Sequence, residues 1–316
     1  MTSNDTLEVT TVRGSIPAEE LGITQTHEHI WLNAYEHYNS YQFVLEDVDT
    51  MVAELGEFSR RGGRSIVEVT TPEIGRDPLA LKAISEKSGV NIIMGCGWYR
   101  EFGYPPEVKE KTSRELADDL IAEIECGVRD TGVRPGIIGE IGTGVRCILP
   151  AEERVFRAAA LAHRKTGLAI TTHTTRWGEL ALEQIEMLDE FGADLSRVII
   201  GHLGDRIGVR HLLPIAGRGV YLEIDNIGYI DYQPEWVRAD NVAALISEGF
   251  VTRILLSQDV CLLSHLKYQN GNGYGYLLET FIPLLKERGV SAEDIEMMLV
   301  KNPARVLARR TTDSPS

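Results

Sequence analysis

Eight short apolar segments recur along the chain, and each ends in small or polar residues. They are nearly continuous in hydrophobic residues and rich in β-branched side chains, a pattern typical of parallel strands that are covered on both faces. The segments span residues 23–30, 65–72, 91–99, 136–142, 168–175, 197–204, 219–228 and 253–260. We therefore predict eight strands of a parallel sheet.

Helical patterns lie between these segments. Asp77 followed by Pro78 is typical of a helix start, and Gly89 of its end. Residues 150–167 have an acidic first turn, an apolar stripe, late basic residues and a terminal glycine, as the helix dipole and the C-cap favour. Residues 291–302 open with a serine and carry an aspartate three positions later, which resembles a capping box.

Strands that alternate with helices over the whole chain predict an α/β fold, a (β/α)8 or TIM barrel formed by a single domain over residues 1–316. A short hairpin is expected within residues 1–20, before the barrel starts. A doubly wound sheet is the alternative, but it usually has a glycine-rich phosphate turn after its first strand, and the sequence has none there. The glycines of residues 271–276 follow no strand pattern and predict a loop.

The composition narrows the choice of partners. The chain has 316 residues, of which 43% are hydrophobic, and a formal net charge of −15. This charge argues against a nucleic acid or an anionic membrane as partner, although a local cationic site can still bind a small anionic substrate.

The four cysteines have no CxxC spacing, which favours buried thiols. With no signal-like leader and no apolar run of transmembrane length, we expect a cytoplasmic protein.

The first predicted strand carries two histidines two positions apart. In an extended strand His27 and His29 point to the same side, whereas Glu28 points to the other. A His-x-His pair fits the polar face of a half-exposed strand as well as it fits two ligands of a metal ion. The rest of the chain has to decide between the two interpretations.

Four more metal-ligating side chains lie at or near the carboxyl ends of other predicted strands. One such histidine often binds a loop carbonyl, and one such aspartate often caps a helix. Neither explanation accounts for the presence of such residues at the ends of several strands. In a parallel barrel the carboxyl ends of all strands open at the same mouth, so these residues are expected to meet there. The predicted cluster comprises His27, His29, Glu140, His173, His202 and Asp259.

Four imidazoles and two carboxylates exceed what one tetrahedral zinc ion binds. They suit two divalent metal ions, the first at His27, His29 and Asp259 and the second at His173 and His202. Glu140 is then the natural bridging carboxylate, with a hydroxide shared on the open side. Two such ions activate water and polarise a carbonyl or phosphoryl oxygen, so the cluster predicts a hydrolase.

Six motifs resemble the phosphotriesterase family of the amidohydrolase superfamily and follow one another in the family's order. They are "GSIPAEELGITQTHEHI", "GIIGEIGTG", "ITTHT", "IGHLGD", "LLSQD" and "KNPARVL". The resemblance implies a TIM barrel with a binuclear metal centre, in which Asp259 also handles the proton of the attacking hydroxide. Zinc is the expected metal, with manganese, cobalt or nickel as alternatives. The family usually forms homodimers, so a homodimer is an expected assembly.

One departure from the family pattern concerns the bridging ligand. True phosphotriesterases and related lactonases use a carboxylated lysine in strand 4, but no lysine lies between Val133 and Ala151. Glu140 is similar to the bridging glutamate of the phosphotriesterase homology protein branch. An ungapped alignment puts Gly139, not Glu140, in the position of the lysine. Because a one-residue offset reverses the facing of a side chain in a strand, we expect a local backbone adjustment at 139–140.

Substrate contacts are expected just beyond the strand ends. The candidates are Trp98 and Tyr99 after strand 3, Arg176 after strand 5 and Lys267 after strand 8. Aromatic walls with one of these cations would suit a substrate that has an apolar part and a carboxylate, sulfonate or phosphate. Each cation could equally be a solvated surface charge.

Three further polar residues occupy loops of the predicted mouth. Many lactonases carry a substrate-contacting arginine after strand 7. Asn226 occupies that position here, so the sequence does not support the same substrate contact. His37 and His265 follow strands 1 and 8, and the sequence does not define their roles.

The leading hypothesis is a metal-dependent hydrolase of a small carboxylic ester or lactone. The second is an amide hydrolase acting on a small N-acyl compound, in which Asp259 returns its proton to the departing amine. Phosphotriester hydrolysis is expected only as a weak side activity. The alternative outside enzymes is a small-molecule binding protein that uses the metal pocket without catalysis, and the intact set of ligands speaks against it.

Overall fold

Eight parallel strands, each hydrogen-bonded to the next in sequence order, surround the centre of the computed structural model. The structure describes residues 7–175 and 178–310. The strands are β1 Ile23–Glu28, β2 Gly63–Glu68, β3 Asn91–Cys96, β4 Ile137–Gly142, β5 Ile170–His173, β6 Val198–Ile200, β7 Tyr221–Ile224 and β8 Ile254–Leu256. The predicted (β/α)8 barrel is confirmed. The strands are shorter than the apolar segments, because the last residues of most segments belong to the loop that follows the strand.

Backbone hydrogen bonds just beyond the end of β8 close the barrel. The N–H of Asp259 donates to the carbonyl of His27 at 3.1 Å, and the N–H of His29 donates to the carbonyl of Val260 at 3.2 Å. The closure therefore lies at the same level as three of the predicted metal ligands.

Helices follow the strands and cover the outside of the barrel. The main ones are α1 Val48–Arg60, α2 Pro78–Ser88, α3 Ser113–Cys126, α4 Pro150–Thr166, α5 Ala181–Glu190, α6 Leu213–Ala216 and α7 Glu235–Ser247. After β8 the chain forms α8 Ile282–Glu287, α9 Ala292–Glu296 and α10 Asn302–Leu307, with π-helical turns at Leu277–Phe281 and Met297–Lys301. Short α-helices also lie at Tyr35–Tyr38 and Pro106–Glu110. No helix of the described ranges is both long and apolar enough to cross a membrane.

Single turns of 3-10 helix connect these elements. They are Ala18–Glu20, Tyr41–Phe43, Pro72–Ile74, Glu101–Gly103, Arg129–Thr131, Leu195–Arg197, Val209–His211, Val251–Arg253, Leu263–His265 and Lys267–Gln269.

The ends of α2 show how local sequence sets the helix boundaries. The Asp77 side chain accepts hydrogen bonds from the N–H groups of Leu79 and Ala80, which satisfies two amides of the first turn. Gly89 ends the helix in the left-handed conformation, with φ of 75°. The predicted start and end of this helix are confirmed.

A small antiparallel sheet covers the amino-terminal end of the barrel. The hairpin of Leu7–Thr11 and Gly14–Pro17 pairs with Arg309–Arg310 near the end of the described chain. Val9 packs against the apolar side chains that fill the barrel interior, among them Val67 and Tyr221. This end is closed by apolar packing, so the open end of the barrel is the carboxyl end of the strands. A two-stranded ribbon of Leu32–Asn33 and Val44–Leu45 borders that mouth after β1.

Candidate metal centre

The structure brings all six predicted ligands together at the carboxyl end of the barrel. Three buried histidines and the partly exposed His173 surround the carboxylate of Glu140, which has a side-chain exposure of only 3%. The set comprises His27, His29, Glu140, His173, His202 and Asp259. Groups of these residues have ligand atoms close enough to hold a metal ion.

The first group lies where β1 meets the chain beyond β8. Nε2 of His29 is 3.4 Å from Oδ1 of Asp259, and Nε2 of His27 is 3.8 Å from the same oxygen. Ligand atoms bound at about 2.0–2.1 Å to a tetrahedral zinc ion lie about 3.3 Å from one another. The observed spacing is therefore close to that of a metal site.

The second group lies across the carboxylate of Glu140. Nδ1 of His173 is 3.1 Å from Oε2 of Glu140, and Nε2 of His202 is 3.6 Å from it. The two ring nitrogens lie 2.7 Å from each other. Oε1 of Glu140 faces His29 instead, at 3.5 Å. One carboxylate thus contacts both groups of histidines.

A local irregularity of β4 directs Glu140 to this position. The pairing of β4 with β5 shifts between Ile138 and Ile141, and the peptide bond between Gly139 and Glu140 is cis. A side chain at residue 139 would lie 2.1 Å from the carbonyl oxygen of Thr171, so only glycine fits. The predicted backbone adjustment at 139–140 is confirmed by the register shift.

Unpartnered nitrogens show that the donor set fits a cation. His27 is fully buried, and neither of its ring nitrogens has a hydrogen-bond partner within the described part of the chain. Burying a polar atom without a partner is costly, and a divalent cation at Nε2 would remove that cost. Imidazole and carboxylate are also ligands that zinc accepts. The residues present therefore fit the metal ions that the sequence implies.

In three of the four histidines, the ring nitrogen that faces away from the cluster lies close to a polar group. Nδ1 of His29 contacts the hydroxyl of Thr70 at 2.7 Å. Nε2 of His173 contacts the hydroxyl of Tyr99 at 3.2 Å. Such contacts fix the tautomer and the orientation of a metal-binding imidazole.

Asp225 provides the corresponding contact for His202. Its Oδ2 lies 3.1 Å from Nδ1 of His202 and also accepts the backbone N–H of His202 at 2.8 Å. Because this oxygen lies near both nitrogens of one residue, we interpret Asp225 as a partner of the ligand. Sequence reasoning missed both Thr70 and Asp225. Their position just after β2 and β7 was the available signal.

The charges of the cluster oppose the effect of burial on the pKa of His29 and of Glu140, but the charge of His202 adds to that effect on the pKa of His173. Burial lowers the pKa of His29, but hydrogen bonds to Asp259 and Glu140 raise it to about 10. Burial raises the pKa of Glu140, yet the surrounding histidines hold it well below its usual range. Burial and the charge of His202 lower the pKa of His173 to about 4. Burial raises the pKa of Asp259, but the hydrogen bond to His29 and the charges of the nearby histidines hold it below its usual value. Both carboxylates therefore favour the charged form and attract positive charge, for which protons and metal ions compete.

A small cavity of about 60 Å³ opens onto the cluster. Its apolar wall is formed by Leu32, Ala34, Phe43 and Ile74, and its polar wall includes Tyr38, Tyr99 and Cys261. Pockets for drug-sized ligands have volumes of about 300–1,000 Å³. The space beside the cluster therefore suits only a small chemical group.

Of the predicted substrate-contact residues that the structure describes, one lines the cavity and two do not. Tyr99 lines the cavity, whereas Trp98 packs against the apolar layer between barrel and helices. Lys267 lies exposed in the 3-10 turn Lys267–Gln269 and does not line this cavity. Arg176 falls outside the described residues.

The three loop residues of undefined role have contacts of their own. Nδ1 of His265 contacts the hydroxyl of Tyr229 at 2.7 Å, and that hydroxyl donates to the backbone carbonyl of Asp259. The ring of His37 packs edge-on against Phe102, outside the cavity. Asn226 donates to the carboxylate of Asp205, with its side chain buried.

Comparison with known proteins decides the family. The model of the phosphotriesterase family matches residues 7–307. The chain belongs to the phosphotriesterase family. It is therefore a hydrolase of a metal-dependent family, as the six clustered side chains predict.

Relatives in this family match the chain over nearly its full length. The phosphotriesterase homology protein of Escherichia coli (strain K12) is 37% identical over 284 residues, which cover 90% of this chain and 97% of that protein. The N-acetyltaurine hydrolase of Dictyostelium discoideum is 31% identical, and the match covers 95% of this chain and 97% of that protein. The crystal structure of a lactonase from Listeria monocytogenes superposes with a TM-score of 0.90 at 30% identity, covering 95% and 98% of the two chains.

Proposed function

We propose that the protein is a binuclear metal-dependent hydrolase of small carboxylic esters or lactones. The observation that carries this proposal is the position of Glu140, whose carboxylate contacts two separate groups of histidines. One ion would be held by His27, His29 and Asp259, and a second by His173 and His202. Zinc is the proposed metal.

Bound divalent cations would polarise the substrate carbonyl and activate water. The side chains would hold the cations, orient the ligands and carry the proton. Glu140 would contribute its carboxylate to both sites, because it lies 3.5 Å from His29 in one group and 3.1 Å from His173 in the other. Thr70, Tyr99 and Asp225 would keep three imidazoles in the orientation that binding requires.

Asp259 is the proposed proton carrier. Its side chain has 14% exposure, compared with 3% for Glu140, so it is the carboxylate of the cluster that a substrate reaches more easily. It would accept the proton of the attacking water and return it to the departing oxygen. The apolar wall would hold a short acyl group and keep bulk water away from the reacting carbonyl.

An amide hydrolase acting on small N-acyl compounds is the second candidate. The observation that favours it is the similarity to N-acetyltaurine hydrolases of Dictyostelium discoideum and Danio rerio, at 31% and 30% identity. An amine leaves poorly unless it is protonated, so the proton held by Asp259 would have to reach the amide nitrogen. Phosphotriester hydrolysis stays a proposed weak side activity.

An activity screen with reconstituted metal tests the proposal. Protein loaded separately with zinc, manganese, cobalt or nickel is assayed with lactones, aryl esters, N-acyl amino compounds and one phosphotriester. We expect hydrolysis of a lactone or ester, with an amide as the second choice, and its loss in Asp259→Asn. Turnover of the phosphotriester alone, or activity that survives chelation and Asp259→Asn, would contradict the proposal.

A further inference from the structure

Arg100 is a half-buried cation that lies beside two aromatic rings. Within residues 7–175 and 178–310 its guanidinium makes no hydrogen bond and no ion pair, and its Nε is buried without an acceptor. It lies near two aromatic rings, with Cζ 5.9 Å from the centroid of Tyr99 and 5.2 Å from that of Phe102. The neighbouring acid, Glu101, faces Lys109 at 3.9 Å instead.

Two other arginines with little exposure have anionic partners. The guanidinium of Arg238 is fully buried and contacts the carboxylates of Asp205 and Glu235. Arg76 forms a salt bridge with Glu123 at 2.9 Å. In a chain with a net charge of −15, anionic partners are plentiful. A partly desolvated guanidinium that has none is available to an anion from outside.

Arg100 stands beside the metal centre. A methyl group added to Gly142, the last residue of β4, would lie 3.0 Å from Cγ of Arg100 and 2.9 Å from Cβ of His173. The stem of Arg100 therefore packs at the same strand end as a proposed metal ligand. Its guanidinium also lies near the cavity wall, because Tyr99, whose ring centroid is 5.9 Å from Cζ, lines the cavity.

We propose that Arg100 binds a carboxylate or sulfonate on the leaving group of the substrate. This rests on the proposed function, because the anion must be connected to an acyl group in the cavity. The cavity beside the metal ligands is small and largely apolar, so it suits the acyl chain. The anionic group then belongs to the alcohol or amine part, which extends past Tyr99 toward the guanidinium. Arg100 would then have the role that the sequence predicted for Lys267, which does not line the cavity.

Matched substrates separate the anion from the bond that is cleaved. The esters are acetyl esters of 3-hydroxypropionate, of 2-hydroxyethanesulfonate and of neutral propanol. The amides are N-acetyl-β-alanine, N-acetyltaurine and N-propylacetamide. Within each series only the distal group changes, so the ratio of kcat/KM for anionic and neutral members reports anion recognition. The carboxylate and sulfonate members show which oxoacid is preferred.

Three variants are compared with the wild type. In Arg100→Met we expect kcat/KM to fall about tenfold for the anionic substrates and to stay unchanged for the neutral ones. Arg100→Lys should restore part of the loss, because it keeps the charge without the planar fork. Arg114→Met removes an exposed arginine of α3 and should leave both values unchanged. Calorimetric binding of 1-butanesulfonate, an inert anion, should weaken most in Arg100→Met, less in Arg100→Lys and not at all in Arg114→Met.

The outcomes distinguish this proposal from the proposed function. A wild type that hydrolyses neutral and anionic members equally, or an Arg100→Met variant that keeps the preference, overturns the role of Arg100 and leaves the hydrolase intact. A protein that hydrolyses no member of either series but does hydrolyse a lactone overturns the role of Arg100 alone, and one that is also inactive in the metal-reconstituted screen overturns both. Activity on the neutral substrates also verifies that each variant is folded.

Discussion

The carboxylate of Glu28 accepts a hydrogen bond from the backbone N–H of Val260 at 2.7 Å. Its other oxygen accepts the N–H of Gln258, also at 2.7 Å. These two amides flank Asp259, and Glu28 itself stands between the two histidines of β1. One buried carboxylate therefore connects the first strand of the barrel to the chain beyond the last, and fixes three proposed ligands relative to each other.

We predict that Glu28→Gln lowers the free energy of unfolding by about 1–3 kcal/mol, because an amide cannot accept from both sides and leaves one buried donor without a partner. Asp259 should lose its fixed position, so kcat should fall while the fold persists. Urea unfolding and steady-state kinetics measure the two effects. Glu86→Gln, at an exposed site of α2, is the matched control. Wild-type stability and kcat in Glu28→Gln would show that this connection is dispensable.

Asp225→Asn is predicted to weaken metal binding without unfolding the protein. The variant removes the negative charge beside Nδ1 of His202 but keeps the size of the side chain. Loss of such a partner usually costs about 10–100-fold in metal affinity or activity. Competition with a chelator measures the affinity, and Asp231→Asn in an exposed loop is the control. Unchanged metal affinity in Asp225→Asn would argue that Asp225 does not act through His202.

His163 is predicted to make stability depend on pH, away from the metal centre. It is buried in α4, where Nε2 accepts the N–H of Asp194 at 3.1 Å and Nδ1 lies 2.7 Å from the carbonyl of Leu168. Burial lowers its pKa in the folded chain. Below about pH 6.5 the unfolded chain binds a proton that the folded chain resists, so stability falls as the pH decreases toward the lowered pKa.

The effect should reach at most about 1.4 kcal/mol per pH unit, and His163→Gln should remove it. Urea unfolding between about pH 7.5 and pH 5.5 compares the two slopes, so that titration of the other histidines cancels. His211→Gln, at an exposed position, should keep the wild-type slope. A His163→Gln variant with the wild-type slope would contradict this account.

The sequence predicted the barrel because eight parallel strands, buried on both faces, require nearly continuous apolar segments. The same rule predicted the clustering of the ligands, since the strand ends share one mouth. Thr70 and Glu28 were not recognised as partners of the ligands, because their contacts join segments that are distant along the chain. Trp98 and Lys267 were expected at the cavity from their position after a strand. Position alone does not define the direction of a side chain on an irregular loop.

The metal content of the purified chain tests the central claim most directly. After reconstitution with zinc and removal of free metal, elemental analysis should give two equivalents per chain for the wild type. Glu140→Ala should retain fewer and lose hydrolysis, because it removes the carboxylate that both groups of histidines contact. A wild type that retains one equivalent or none while fully active, or a Glu140→Ala variant that keeps both ions and its activity, would contradict the account.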